Sequence, residues 1–158
     1  MAKVFPGRMT AEMDGDFVVF IIAMRINRWW KFHKWLPVFT AMPRMLKELA
    51  AHPELGCLHT EQWFGMIIQY WRSFEHLEAY ARGASHQHLP AWQAFNRKVN
   101  SSSGDVGIWH ETYHIRAGEY ETIYGSMPRR GLACAGRHLP VTEHRESARQ
   151  RMAGQSSG

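Results

Sequence analysis

The sequence predicts an α+β domain with helices covering one face of an antiparallel sheet, and three observations lead there. The run Phe17–Met24 (FVVFIIAM) is apolar, rich in β-branched residues and far short of the ~20 residues needed to span a bilayer, so it reads as a buried strand. CLHTEQWF and MIIQYW lie on either side of Gly65 in the manner of a hairpin, and Val106–Ile115 (VGIWHETYHI) is a last strand rich in β-branched and aromatic residues. The segments between these strands carry helical periodicity.

Taken in order, residues 1–15 form an N-terminal arm that closes at the turn signal Asp14-Gly15-Asp16. After the first strand, Trp29–Leu36 reads as a short aromatic helical segment that Pro37 should stop. A longer helix follows, with Met42, Met45, Leu46 and Leu49 at i, i+3, i+4 and i+7, Pro43 in its first turn and His52-Pro53 at its close. Beyond the hairpin, Ser73 can cap a helix that carries Phe74, Leu77 and Tyr80/Ala81 on one face and ends at Gly83. A further helix runs from about Gln87 to Val99, and Asn100–Asp105 (NSSSGD) is a polar loop. Glu119–Tyr124 extends or flanks the last strand. Residues 126–141 read as an ordered loop or wrap, and 142–158 as a mobile tail.

The order β-α-β-β-α-β over residues 16–125 is ferredoxin-like. On its last strand Val106, Ile108, His110, Thr112 and His114 take one face, and Trp109, Tyr113 and Ile115 the other. The first strand is apolar on both faces while the helices cover only one. The open face therefore needs a partner, and a homodimer packed sheet to sheet supplies it.

Composition narrows the function classes. Six arginines (129, 130, 137, 145, 149 and 151) crowd the C-terminal part, so the formal charge of +5 gives little support to a phosphate-tracking surface, and no nucleic-acid partner is expected. No segment is long enough to span a membrane. Cys57 and Cys134 form no metal or redox motif, which points to a reducing, cytoplasmic setting. Nucleotide, flavin and zinc-hydrolase motifs are absent. A small-molecule substrate is the remaining expectation.

Two histidines stand out. On a regular helix His88, Trp92, Phe95 and Val99 share one stripe, while His86 lies on roughly the opposite side. His88 is either a backbone-bonded histidine near a helix start or a site residue. His110, a polar ring between Ile108 and Thr112, is likewise either a hydrogen-bonded core group or a site residue. One on a helix and one on the central-type strand it would cover can face a shared pocket. Arg25, Asn27 and Arg28 end the first strand, where polar groups are either solvated or in contact with ligands.

The runs RINRWWKFHKWLPVF, AMPRMLKELAAHPELG, QYWRSFEHLEAYARG, HLPAWQAFN and VGIWHETY together resemble a family of dimeric α+β-barrel proteins catalogued as monooxygenase-like and related to a protein of fungal fumagillin biosynthesis. The resemblance covers about Pro6 to Pro140. More distantly, YWRSFEHLEAYA, SHQHLPAW and WHETY are similar to the C-terminal half of haem-containing aldoxime dehydratases, which are about twice as long and have one residue more between their paired histidines. That likeness implies haem b with His88 as iron ligand, Trp71 and Trp92 among the side chains enclosing the macrocycle, and His110 as the distal acid–base group. Arg25, Arg72 and Ser73 are possible counterparts of the distal arginine and serine. The enzyme would then be a haem-dependent oxidoreductase, lyase or dehydratase on a nitrogen- or oxygen-bearing substrate. The alternatives are a cofactor-independent monooxygenase of the antibiotic-biosynthesis type, using Asn27, Trp71 and His88 on a phenolic substrate, and a non-catalytic haem carrier or sensor.

Overall fold

The expected β-α-β-β-α-β order builds a four-stranded antiparallel sheet, seen in a computed structural model that describes residues 2–82 and 97–153. The elements are β1 (Phe5–Glu12), β2 (Phe17–Ile26), α1 (Phe32–Ala51), β3 (Cys57–Trp63), β4 (Met66–Trp71), α2 (Phe74–Arg82), α3 (helical over 97–101), β5 (Val106–Ile115), β6 (Tyr124–Met127), α4 (Leu132–Ala135), β7 (Arg137–Pro140) and α5 (Ala148–Ala153). The sheet order β3-β4-β2-β5 is that of a ferredoxin-like α+β fold. No helix among the described residues is long and apolar enough to cross a membrane.

Register fixes the faces. Ile22 sits opposite His110 and Ile67, and Phe20 opposite Thr112 and Gln69. These residues share the face covered by α1, whose Val38, Ala41, Met42, Met45 and Leu49 pack on Val18, Phe20, Ile22, Ile67 and Trp71. The division of β5 into a His110/Thr112/His114 face and a Trp109/Tyr113 face is therefore as the alternation predicts.

Pro37 does not stop the helix. α1 runs without interruption through both Pro37 and Pro43. Each proline removes one ladder bond at a cost of about 3 kcal/mol in an exposed helix interior, but five buried side chains hold the helix to the sheet. Pro43 is exposed, so water can reach the carbonyl it frees.

The N-terminal arm is not a loose extension. β1 pairs with β6 on one side and β7 on the other, giving a second, three-stranded sheet. With α4 it lays Ala11, Leu132 and Ala133 against Phe17, Val19, Tyr70 and Ile115, so the chain itself covers part of the face expected to need a partner. Glu61 anchors this wrap, accepting from Arg130 Nη1 (2.6 Å) and the Gly131 amide (2.9 Å), with His59 Nε2 at 3.2 Å. The expected mobile tail is also folded as far as residue 153. Arg151 bonds Glu121 (2.8 Å) and the carbonyls of Arg145 and Glu146, while Arg137 and Arg145 pair with Glu12. The basic C-terminal composition thus reflects carboxylate partners in the wrap, distant in sequence.

Acid should loosen this second sheet in two stages. His138 lies edge-on to Phe5 and Tyr124 with neither ring nitrogen hydrogen-bonded, and burial, with Arg129 adding, pushes its pKa below 6.5. In the window below 6.5 the unfolded chain takes up a proton that the folded chain refuses, so stability falls as pH drops. Burial pushes the Glu61 carboxyl up, but the Gly131 amide, His59 and Arg130 outweigh it and hold the pKa below 4.5. Its contribution is present above 4.5 and lost as pH falls through the folded value. Urea denaturation across pH 7.5 to 3 should show both losses, with His138→Phe flattening the first and Glu61→Gln the second. Equal pH dependence in wild type and His138→Phe would count against the first stage.

Candidate functional site

The helix-covered face of the sheet is apolar along β2 but carries polar side chains on the strands beside it. Gln69 of β4 and His110 and Thr112 of β5 interrupt it on either side of Phe20, and there α2 leaves a chamber of about 230 Å³. Met45, Phe74, Leu77, Tyr80 and Ala81 form its apolar walls, and the Glu78–Arg82 ion pair (2.7 Å) is part of its lining. The helix above it starts at Ser73, whose Oγ accepts from the His76 amide at 3.4 Å and lies 2.8 Å from His76 Nδ1. Gly56, at φ +87°, must be glycine because a Cβ there would run into that same His76 ring.

His110 stands at the exposed side of the chamber, on the edge strand of the sheet. Its ring packs on Phe20 with centroids 5.6 Å apart, and neither nitrogen is hydrogen-bonded among the described residues. Glu111 points to the other face, where it accepts from the Tyr113 hydroxyl, and so does not serve His110.

Gln69 is buried, and its Oε1 accepts from the Trp71 indole N–H at 3.0 Å. Because an indole nitrogen only donates, the carboxamide oxygen must face Trp71, which turns the NH₂ away from it. That NH₂ makes no hydrogen bond among the described residues. A carboxamide donor and an imidazole thus line one small, mainly apolar space, two strands across the sheet and two residues along it from each other, roughly 12 Å between their Cα atoms. The Tyr80 hydroxyl is pushed well above its usual range, first by burial and then by Glu48 and Cys57, so it stays protonated as a hydrogen-bonding group.

The other sequence candidates are dispersed. Arg25 lies on the opposite face of β2, paired with Gly107, and does not join His110. Asn27 sits five residues beyond Ile22, roughly 16 Å along the strand. There its Nδ2 bonds the Gly104 carbonyl (3.0 Å) and its amide the Asp105 carbonyl, so it braces the turn into β5. Arg28 and Lys31 converge on the Asp105 carboxylate (3.0 and 3.1 Å), whose pKa burial raises but these cations lower below the usual value. Trp71 is fully buried in the core against Tyr80 (5.5 Å) and reaches the chamber only by orienting Gln69. Arg72 lines a groove with Glu12 and Asp16, away from the chamber.

His86, His88 and Trp92 lie outside the described residues. Among the described residues no group of three His, Cys, Asp or Glu side chains could hold a metal ion. The chamber they bound has room for about one substituted aromatic ring and is much smaller than a porphyrin. Sequence reasoning missed Gln69, although the signal was legible: an amide between Ile67 and Trp71 on the core face of a strand needs a partner or a purpose.

Fold and site together define a ferredoxin-like α+β protein with a small chamber between its sheet and a helix. The chain belongs to the monooxygenase af470-like family, which it matches over residues 17–132. No curated protein matches it.

Proposed function

We propose that the protein is a cofactor-independent monooxygenase acting on a small, electron-rich hydroxylated aromatic molecule held in the chamber. The observation that carries this reading is that His110 and the Gln69 carboxamide line the same, mainly apolar chamber. Membership of a monooxygenase-like family supports it. His110 accepts the phenolic proton, which makes the ring a better electron donor. The Gln69 NH₂ donates to the developing anionic oxygen. The ring passes electrons to dioxygen and a ring carbon–oxygen bond forms. Protonation gives a hydroperoxide; loss of the C–H proton and cleavage of the O–O bond then release water and leave a quinone. Phenol plus O₂ gives quinone plus H₂O, so no external reductant is required.

The uncovered part of the sheet's open face, with Ile21, Ile68 and the exposed Trp109 and Tyr113, is our proposed homodimer contact.

The test is oxygen uptake by protein treated with chelator and verified free of visible absorbance, supplied with a panel of phenols and hydroquinones under ¹⁸O₂. One labelled oxygen in the product and one O₂ consumed per turnover is the expected result. Turnover that appears only after haem is added, together with a Soret band, would overturn the cofactor-free reading.

A further inference from the structure

α1 carries two apolar stripes. The inner one packs on the sheet; the other, Phe32, Leu36 and Phe39 at i, i+4 and i+7, points away from it. Phe64 continues this outer stripe, with its ring centroid 5.4 Å from that of Phe39. Phe64 occupies the tip of the β3–β4 hairpin, in a two-residue loop with Gly65 where Asn or Asp is the usual choice. The Gly65 carbonyl accepts from the Met24 amide (2.7 Å), so the tip is tied to the end of β2, from which the chain runs on into the loop that carries Trp29 and Trp30. Exposure is large: Phe64 77%, Trp30 75%, Phe32 63%, Trp63 60% and Trp29 59%.

Cations outnumber carboxylates at this end of the molecule. Residues 28–36 contain no carboxylate and three cations, Arg28, Lys31 and Lys34, and Arg25 precedes them at the end of β2. Asp105 neutralises part of the Arg28–Lys31 pair, and Arg25 and Lys34 have no ion pair among the described residues.

We infer that this end, built from residues 28–36 and the hairpin tip, is a docking surface for an anionic phospholipid bilayer. Tryptophan and phenylalanine rings with Arg28, Lys31 and Lys34 interleaved in the same segment match the two layers of such a surface, rings at the headgroup–acyl boundary and cations among the anionic headgroups. A second copy of the chain is the poorer occupant. A two-fold contact would set this patch against itself, cation facing cation, with Asp105 already engaged. The protein lies on the bilayer without entering it, since no described helix can span it.

The test is co-sedimentation of the full chain with vesicles of phosphatidylcholine containing about a third phosphatidylserine, and with phosphatidylcholine alone. Binding to the anionic vesicles, weakened by high salt and reduced roughly tenfold or more in Trp30→Ser/Phe64→Ser, is the expected result. Both side chains are exposed, so the double variant should keep the wild-type circular dichroism spectrum. Lys34→Gln should weaken binding to the anionic vesicles only. Absence of sedimentation with anionic vesicles, or equal sedimentation of the double variant, overturns the inference. So does a wild-type self-association that the double variant abolishes while neither protein binds vesicles, which assigns the patch to a second copy.

Discussion

His110→Phe is expected to lower turnover by roughly 10²–10⁴-fold while leaving the fold intact, the range associated with loss of a positioned proton acceptor. The separation of effects follows from position. His110 is on the exposed edge strand, its nitrogens bond nothing among the described residues, and its ring packs on Phe20, a contact phenylalanine reproduces. Urea midpoints of wild type and variant should agree, and the loss should lie in kcat more than in KM, because the proton moves only as the reaction proceeds. Gln69→Leu should cost about 10²-fold if its amide meets the developing oxyanion. A His110→Phe protein with undiminished oxygen uptake removes the proposed base and shifts attention to residues 83–96, where His86 and His88 lie.

Trp71→Ala should be the most destabilising single change in the sheet, at about 3–5 kcal/mol, as for large aromatic truncations in close-packed cores. Trp71 is fully buried in the cluster joining the sheet to α1 and α2, and its ring lies 5.5 Å from Tyr80. Truncation also leaves Gln69 Oε1 without its donor. For a domain of this size the melting temperature should drop by roughly 6–20 °C. Trp71→Phe distinguishes packing from orientation. It keeps most of the buried ring, costs about 1–2 kcal/mol, and frees the carboxamide to rotate. If Trp71 acts on the site through Gln69, Trp71→Phe lowers kcat and Trp71→Phe/Gln69→Leu is no worse than Gln69→Leu alone. Additive losses would show that Trp71 has a separate role.

These two residues show how far the sequence reached. Period-two alternation put His110 on the helix-covered face of the last strand, because one face of that strand is apolar at its start and the pleat does the rest. The same rule would have marked Gln69 as a lone amide among core residues. It could not reveal that Trp71, two positions on and on the same face, turns that amide into the chamber; this contact exists only when both side chains are packed. Arg25 and Asn27 were drawn together by adjacency at a strand end, yet Arg25 takes the far face and Asn27 ties down the turn at Gly104.

What the sequence determined by itself is the order β-α-β-β-α-β, the hairpin at Gly65, the cap at Ser73 and the two faces of β5, since each is written in residues a few positions apart. The tertiary structure alone decided the rest. It carried α1 through Pro37 and Pro43, because burial of the stripe from Val38 to Leu49 offsets the missing bonds. It also made a second sheet of the N-terminal arm and the C-terminal wrap, joined by β1–β6 and β1–β7 pairing and by Glu61 to Arg130. Those partners lie more than sixty residues apart, and no local pattern in either one encodes a contact whose free energy appears only after the chain has closed the loop between them.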